Sequence, residues 1–557
     1  MTDGPADATI SALVALGLPE RIAIPLQAVL GPAAAEIVAS DPWAVLSVIS
    51  VQPERVDAYA RSRLGSTVRA DDQRRQVALL GWLLARAARD GHTVLPQRVA
   101  ELALAGYGVD TKDATGAAVA QGQVAEVDWP GGGLALTRLA IAERAIANAV
   151  RARLASDAGA DPVASEGSGF GGLELIVGPA GPARDAAVRS RVARARADGM
   201  TVMLAAPTLG AAARLSDLES CPALPVSEVA AALTEASPPP PGILLVEDAH
   251  VIEVGAIARL LGAALAVTTV VLAADPVALG SVDGPGDVVG DVAAWLRRTE
   301  PRPDTRPPEP PPGEAVATID GLVEAVGQGV LLQVESPDKE VVVVPAGDAS
   351  EAVHRTLQLV TDAIPRALGI PATDVMVLTP AVRGVAGSVM LNAALKSQLN
   401  PGRGSIAGFD VGDRVAFTAP AGRAVAGDVG VAVDARDAGP VIDIAGEMVA
   451  VPGRVSMPIQ HAYALTIARG QAGRWPAVVV VLPGESAGLL CRSLVRTAFS
   501  RAERHLSVVH AAGATLGRAV AHGYDRRRRT LLGGLLEGEP LDAGLLNGGL
   551  LDGGPPR

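Results

Sequence analysis

Aromatic side chains are almost missing from this sequence, making up 2% of its 557 residues. Alanine, valine, leucine and glycine must build the cores instead, which is a statement about packing and not about function. Cysteine is nearly absent too. Cys221 and Cys491 lie far apart without metal-type partners, which excludes a disulfide framework and points to a reducing compartment. A basic excess is also lacking: the net charge is −12 and the pI is near 5.2. Such a chain does not coat itself with nucleic acid, so any contact of that kind must come from local basic patches. The opening MTDGPADATISALV has neither a basic stretch nor a clean apolar run, and no signal peptide is read there. The longest apolar run, VGAIARLLGAALAVTTVVLAA (254–274), raises the question of a membrane span. Arg259 interrupts it and a β-branched cluster at Val267–Val271 splits it, so it reads as a buried helix followed by a buried strand. The expectation is a cytoplasmic protein with no membrane partner.

What is present is a chain long enough for several domains, at about 100–200 residues each. Residues 1–68 read as short helices. PERIAIPLQAVLG and PERVDAYARSRLG each open with proline at a helix start and close with glycine. Residues 69–155 continue helical around a glycine-turn hairpin, GQVAEVDWPGGGLAL. This pattern fits a winged-helix module or a plain helical bundle equally. From 156 to 300 apolar strands (LELIVG, TVMLAAP, GILLVED, TTVVLAAD) alternate with helical stretches, the pattern of a parallel sheet covered by helices. Residues 301–315 form a Pro-rich connector. A second α/β pattern fills 316–530, interrupted at 409–455 by a Gly- and Val-rich stretch that reads as a small β-barrel. A low-complexity tail, 531–557, closes the chain. The fold class is therefore α/β, with two tandem parallel-sheet domains.

Eight stretches resemble, in order, the motifs of the RecD-like branch of superfamily 1 DNA helicases. GPAGPARDA (178–186) stands at the Walker A loop, APTLGAAARL (206–215) at the next segment, and ILLVEDAHVI (243–252) at Walker B. ADPVALGSVDGPGDVVGDV (274–292) resembles the third motif and VLTPAVRGVAGSVMLNAALKSQLNP (377–401) the fourth. FDVGDRVAF with GDVGVAV resembles the opening of an SH3-like insert. HAYALTIARGQAGRWPAVVVVLP (461–483) and SLVRTAFSRAERHLSVV (493–509) resemble the last two. The N-terminal helices resemble the family's helix-hairpin-helix region. The resemblance implies two RecA-like domains, ATP and Mg2+ as cofactors if the site is active, and single-stranded DNA as a partner.

The departures fall on the chemistry. A working G-x-x-x-x-G-K-[ST] loop cradles phosphates with backbone N–H groups, reaches them with lysine and holds Mg2+ with a hydroxyl. Here Gly178 and Gly181 remain, but the last glycine is Ala183, the lysine is Arg184 and the hydroxyl residue is Asp185. Pro179 and Pro182 remove two N–H donors. The Walker B acids are inverted as Glu247 and Asp248, with Glu247 the metal candidate, and the third motif's glutamine is Ala278. The adenine-recognition glutamine is not evident in DPVASEGSGFGG. Arg383 and Arg501 stand at the arginines that meet the γ-phosphate in the family. Thr208, Thr466 and Gln471 stand at its DNA-contacting positions, while the usual Gly-Ser-Glu run reads Ala472, Gly473, Arg474. The helix-hairpin-helix turn, SVQPE, lacks glycine, and the interval before Walker B is too short for a long duplex-splitting hairpin. RRRR (526–529) reads as a phosphate contact or as a solvated helix end.

The expectation is an ATPase-deficient homologue acting as a DNA-binding or scaffolding subunit, beside an active helicase or nuclease. The alternatives are an active 5′-to-3′ helicase using Glu247, Asp248, Arg383 and Arg501, and a protein-interaction platform with neither ligand.

Overall fold

The computed structural model describes residues 5–65, 68–155, 172–235, 242–265, 267–282, 284–299, 315–406, 408–436, 439–451, 457–522 and 527–538. The Pro-rich connector up to 314, the DPVASEGSGFG stretch and the tail from 539 lie outside them. Two compact units form. One draws on the chain up to Asn148 with Gly284–Asp287 and the segment from Arg528; the other uses Ala149–Asp283 and Val288–Arg527.

The first unit is largely helical around an apolar core that includes Leu26, Trp43, Leu80 and Leu134, with a smaller cluster at Val94, Ala135, Ala140 and Leu531. Pro53 starts its helix at the first position, whereas Pro19 sits one residue before the helix Glu20–Leu30. Gly31 and Gly65 end these two helices with positive φ, as their lack of a Cβ allows. The stretch Glu20–Ser40 is apolar and long enough to cross a bilayer by composition alone. It is broken at Gly31, and Ala23, Leu26, Ala34 and Val38 enter the core. The expected hairpin pairs Val124–Val127 with Gly133–Leu136, turning through Gly131 and Gly132 at φ 80° and 84°. The described part of the basic run lies outside any helix and joins this unit through backbone: the Arg529 carbonyl accepts from the Thr93 amide at 2.8 Å, and the Leu531 amide donates to buried Glu143 at 3.0 Å.

The second unit carries both sheets. The first has strands β1 (Leu173–Val177), β2 (Thr201–Ala206), β3 (Ala223–Pro225), β4 (Gly242–Val246) and β5 (Thr269–Ala274). All are parallel, in the order β1-β5-β4-β2-β3. β4 and β5 are buried throughout, as their unbroken apolar sequences require. The run 254–274 resolves into the helix Val254–Ala263 and β5, as its sequence suggests. Where a duplex-splitting hairpin would stand there are β3 and a helix, Val226–Glu235.

The second sheet has strands β6 (Val341–Pro345), β7 (Val375–Thr379), β8 (Ala464–Thr466), β9 (Trp475–Leu482) and β10 (Ala502–His510). They are also parallel, in the order β6-β10-β9-β7-β8. Between β7 and β8 the chain makes five antiparallel strands from Arg414 to His461, closed over Phe417, Ile442 and Ile444. Parallel strands bring every β-to-α turn to the same edge of each sheet, and the candidate site lies on those turns.

Candidate nucleotide site

The loop after β1 leads directly into helix α1 (Pro182–Ala197), whose first residue is Pro182. Four of the eight residues 178–185 offer no free amide. Pro179 and Pro182 have none, Gly178 donates to the Ala274 carbonyl at 3.0 Å, and Asp185 donates to the Gly181 carbonyl at 3.0 Å. Ala183 is exposed on the first turn of α1 and presents only a methyl group.

Arg184 points inward, and its side chain is 1% exposed. Nη2 donates to Glu247 Oε1 at 2.6 Å and to Asp248 Oδ1 at 2.5 Å, while Nη1 donates to the Gly178 carbonyl at 3.3 Å. The two acids follow β4 directly, and Asp248 adopts the left-handed conformation at φ 48°. Burial opposes charge on Arg184, but Asp248 and Glu247 outweigh it and hold its pKa above the ordinary value. Burial would raise Asp248 as well, yet Arg184 and Arg501 hold it below the usual carboxylate range. For Glu247 burial wins over Arg184 and its pKa is raised. The neighbouring charges of Asp248 and Asp185 add to the rise, and its Oε2 has no hydrogen-bond partner.

Four more groups complete the cluster. Arg474 Nη1 meets Asp185 Oδ2 at 2.8 Å, and Arg214 lies 3.9 Å from Asp185 and 3.7 Å from Glu247. Arg501 is fully buried, with Nη1 donating to the Gln471 carbonyl at 2.5 Å and lying 3.8 Å from Asp248. Burial pushes its guanidinium down to about 10, against the pull of Asp248. His250 accepts the Asp275 amide on Nδ1 at 3.3 Å; burial pushes it down to about 4 against the pull of Asp248, so it is neutral near pH 7.

A Mg2+–nucleotide does not fit these residues. One oxygen of each acid is bonded to Arg184, the hydroxyl position is a carboxylate, and half the loop amides are missing or engaged. Among the described residues no group of three or more His, Cys, Asp and Glu could hold a metal ion.

Of the residues singled out in the sequence, Gly178, Gly181, Arg184, Asp185, Glu247, Asp248, Gln471 and Arg501 come together. Arg383 does not: it is exposed on the loop before helix α2 (Ser388–Leu399) and makes no ion pair with these acids. Thr208 is buried, and its hydroxyl accepts the Ala211 amide at 3.1 Å, capping the helix Leu209–Glu219. Thr466 accepts the Arg469 amide at 3.2 Å and remains half-buried. Arg214, His250 and Arg474 are members that the sequence reading did not select. For Arg474 there was a signal: it and Asp185 are departures of opposite charge from the same set of motifs.

Residues 5–94 match the family described as the ATP-dependent RecD2 DNA helicase HHH domain. A Deinococcus radiodurans protein named ATP-dependent RecD2 DNA helicase is 34% identical over 143 residues. That match covers 25% of this chain and only 20% of the relative's own length. Among solved structures, the Bacteroides Pif1 helicase in complex with ADP-AlF3 and single-stranded DNA is 12% identical, covering 62% of this chain and 90% of that one, with a TM-score of 0.36. The Candida albicans Pif1 helicase is 14% identical, covering 61% and 91%, with a TM-score of 0.34. An arterivirus helicase, nonstructural protein 10, is 13% identical, covering 71% and 72%, with a TM-score of 0.31. The chain is thus similar to the RecD2 helix-hairpin-helix domain over residues 5–94, and to the Deinococcus RecD2 helicase over 143 residues, a stretch that spans 20% of that relative.

Proposed function

We propose that this chain is an ATPase-deficient helicase homologue that serves DNA repair or recombination as a DNA-binding or scaffolding subunit, beside an active helicase or nuclease. One observation carries the reading: the side chain at the Walker A lysine position is spent on both Walker B acids. A catalytic cation must be free to meet phosphate, and catalytic acids must be free to hold metal and water. Here Arg184 binds one oxygen of each acid. The retained sheets and motif order support a fold kept for binding.

The test is ATP hydrolysis by the purified protein, with and without single-stranded DNA, against the double variant Glu247→Gln, Asp248→Asn. Turnover no higher than in the double variant is the expected result. DNA-stimulated turnover that the double variant lacks would establish an active helicase-type ATPase instead.

A second reading, a platform for protein partners alone, draws on the placement of Thr208 and Gln471. Both are buried, and Thr208 already caps a helix. Titration with labelled single-stranded DNA at 50 and 200 mM salt separates the two. Nucleotide-independent binding that weakens at the higher salt is expected of a DNA-holding subunit. No binding at either salt favours the platform.

A further inference from the structure

We propose that Asp185 is a built-in anion that latches the two sheet domains together without any nucleotide. The inference rests on the reading of an ATPase-deficient chain. It starts from the charges on the two facing surfaces. The second domain presents Arg474, Arg496 and Arg501, all with side chains no more than 5% exposed. The first presents Arg184 and Arg214 among its acids. Arg496 is paired with Asp275 and lies 3.7 Å from Glu324, and Arg474 lies 3.8 Å from Glu503; Glu247 and Asp248, already shared with Arg184, do not by themselves offset Arg474 and Arg501. Without another negative charge, closing this interface would press guanidinium against guanidinium. An anion from solution would then have to enter first.

Asp185 removes that need. One of its oxygens meets Arg474 of the second domain at 2.8 Å, and the other lies 3.9 Å from Arg214 of its own domain. Asp275, at the end of β5, does the same for Arg496 at 2.7 Å, and Arg496 also donates to the Val323 carbonyl. Further contacts fall into register around these pairs. The Leu279 amide donates to Thr497 Oγ1 across the interface at 2.8 Å. The Gly210 amide donates to Asp428 of the barrel insert at 3.1 Å, and Arg423 of the insert grips Glu228 with two bonds of 2.8 Å. Charge complementarity of this kind fixes which surfaces meet and in what register. The inner pairs are largely shielded from salt, unlike exposed ones. The residue that spoils the phosphate loop therefore does a second job: it stands where a ligand's negative charge would stand.

The Leu279 amide is the reporter, because its acceptor belongs to the other domain. Hydrogen–deuterium exchange of the full chain, free of nucleotide, is followed on a peptide covering Leu279. Protection in the wild type is expected. Asp185→Ala should speed exchange at Leu279 at least tenfold, and millimolar inorganic pyrophosphate should slow it again in that variant but not in the wild type. The charge swap Asp185→Arg with Arg474→Asp should restore exchange to near the wild-type rate. It also guards against a folding defect, since a variant that merely unfolds is not repaired by a second substitution. Free exchange at Leu279 in the wild type, or an unchanged rate in Asp185→Ala, overturns the latch. The two readings fail separately: ATP turnover with a protected Leu279 removes the ATPase-deficient reading alone, and an exposed Leu279 without turnover removes the latch alone.

Discussion

Replacing Arg184 by alanine is expected to destabilise the second unit by about 3–5 kcal/mol, the range for breaking one side of a buried ion pair. The variant would leave Glu247 and Asp248 adjacent, both nearly unexposed, with Arg214 and Arg501 at 3.7 and 3.8 Å as their remaining cations. Neither distance is a hydrogen bond, so two carboxylates lose their closest donors at once. At about 2–4 °C per kcal/mol for a domain of this class, the melting temperature falls by on the order of 10 °C. Arg184→Lys keeps the charge and loses the fork, with an expected cost of roughly 1–3 kcal/mol. The sign of the pH dependence follows. In Arg184→Ala the carboxylates are pushed above their unfolded values, so the folded state binds more protons and the deficit shrinks as pH falls toward the unfolded carboxylate range. Thermal melts at pH 7 and pH 5 check both points. A lysine held ready for phosphate behaves in the opposite way: removing a functional charge from an open site commonly leaves stability unchanged or raises it. A melting temperature equal to or above the wild type would mean that Arg184 is poised for a ligand.

The contrast between scaffold and site shows what a sequence carries. β1, β2, β4, β5 and the long strands of the second sheet were legible because each is an apolar run bounded by turns, and such runs have one way to be buried. Short β3 and β8 have too few residues to stand out. The degenerate positions of the loop were legible against the motif, but their partners were not. Asp185 and Arg474 are 289 residues apart in the chain, and only the folded sheets bring them together. Thr208 shows the converse: a threonine between strand and helix fits a DNA contact and an N-cap equally well, and the folded structure makes it the cap. The return of the chain from Arg528 to the first unit was invisible for a different reason. It is made largely through backbone, the Arg529 carbonyl meeting the Thr93 and Val94 amides, and backbone pairing leaves no side-chain pattern.

The same logic picks out a second sensitive residue, well away from the loop. Asp413, at the root of the barrel insert, is completely buried and accepts from five neighbours. Lys396 Nζ lies 2.7 Å from both oxygens, Asn400 Nδ2 and the Asp410 amide at 2.8 Å, Tyr463 Oη at 2.9 Å and His461 Nε2 at 3.1 Å. Burial alone would raise its pKa, but these donors, Lys396 first, hold it below the ordinary value. Lys396 is on α2 of the second domain and Asn400 directly follows it, whereas His461 and Tyr463 lie where the chain leaves the barrel. One carboxylate thus ties the entry and exit of the insert to the domain that carries it. Asp413→Ala is expected to cost about 3–5 kcal/mol, because it strands several buried donors together. Asp413→Asn keeps the shape but turns one acceptor into a donor facing donors, and should cost nearly as much. The loss should be local first: limited proteolysis would cut within residues 409–461 at temperatures where both sheets remain intact, since a tether at the root holds the insert but not the sheets. Cleavage spread evenly over the chain would show instead that Asp413 supports the whole unit, and a wild-type melting temperature in Asp413→Ala would remove the tether altogether.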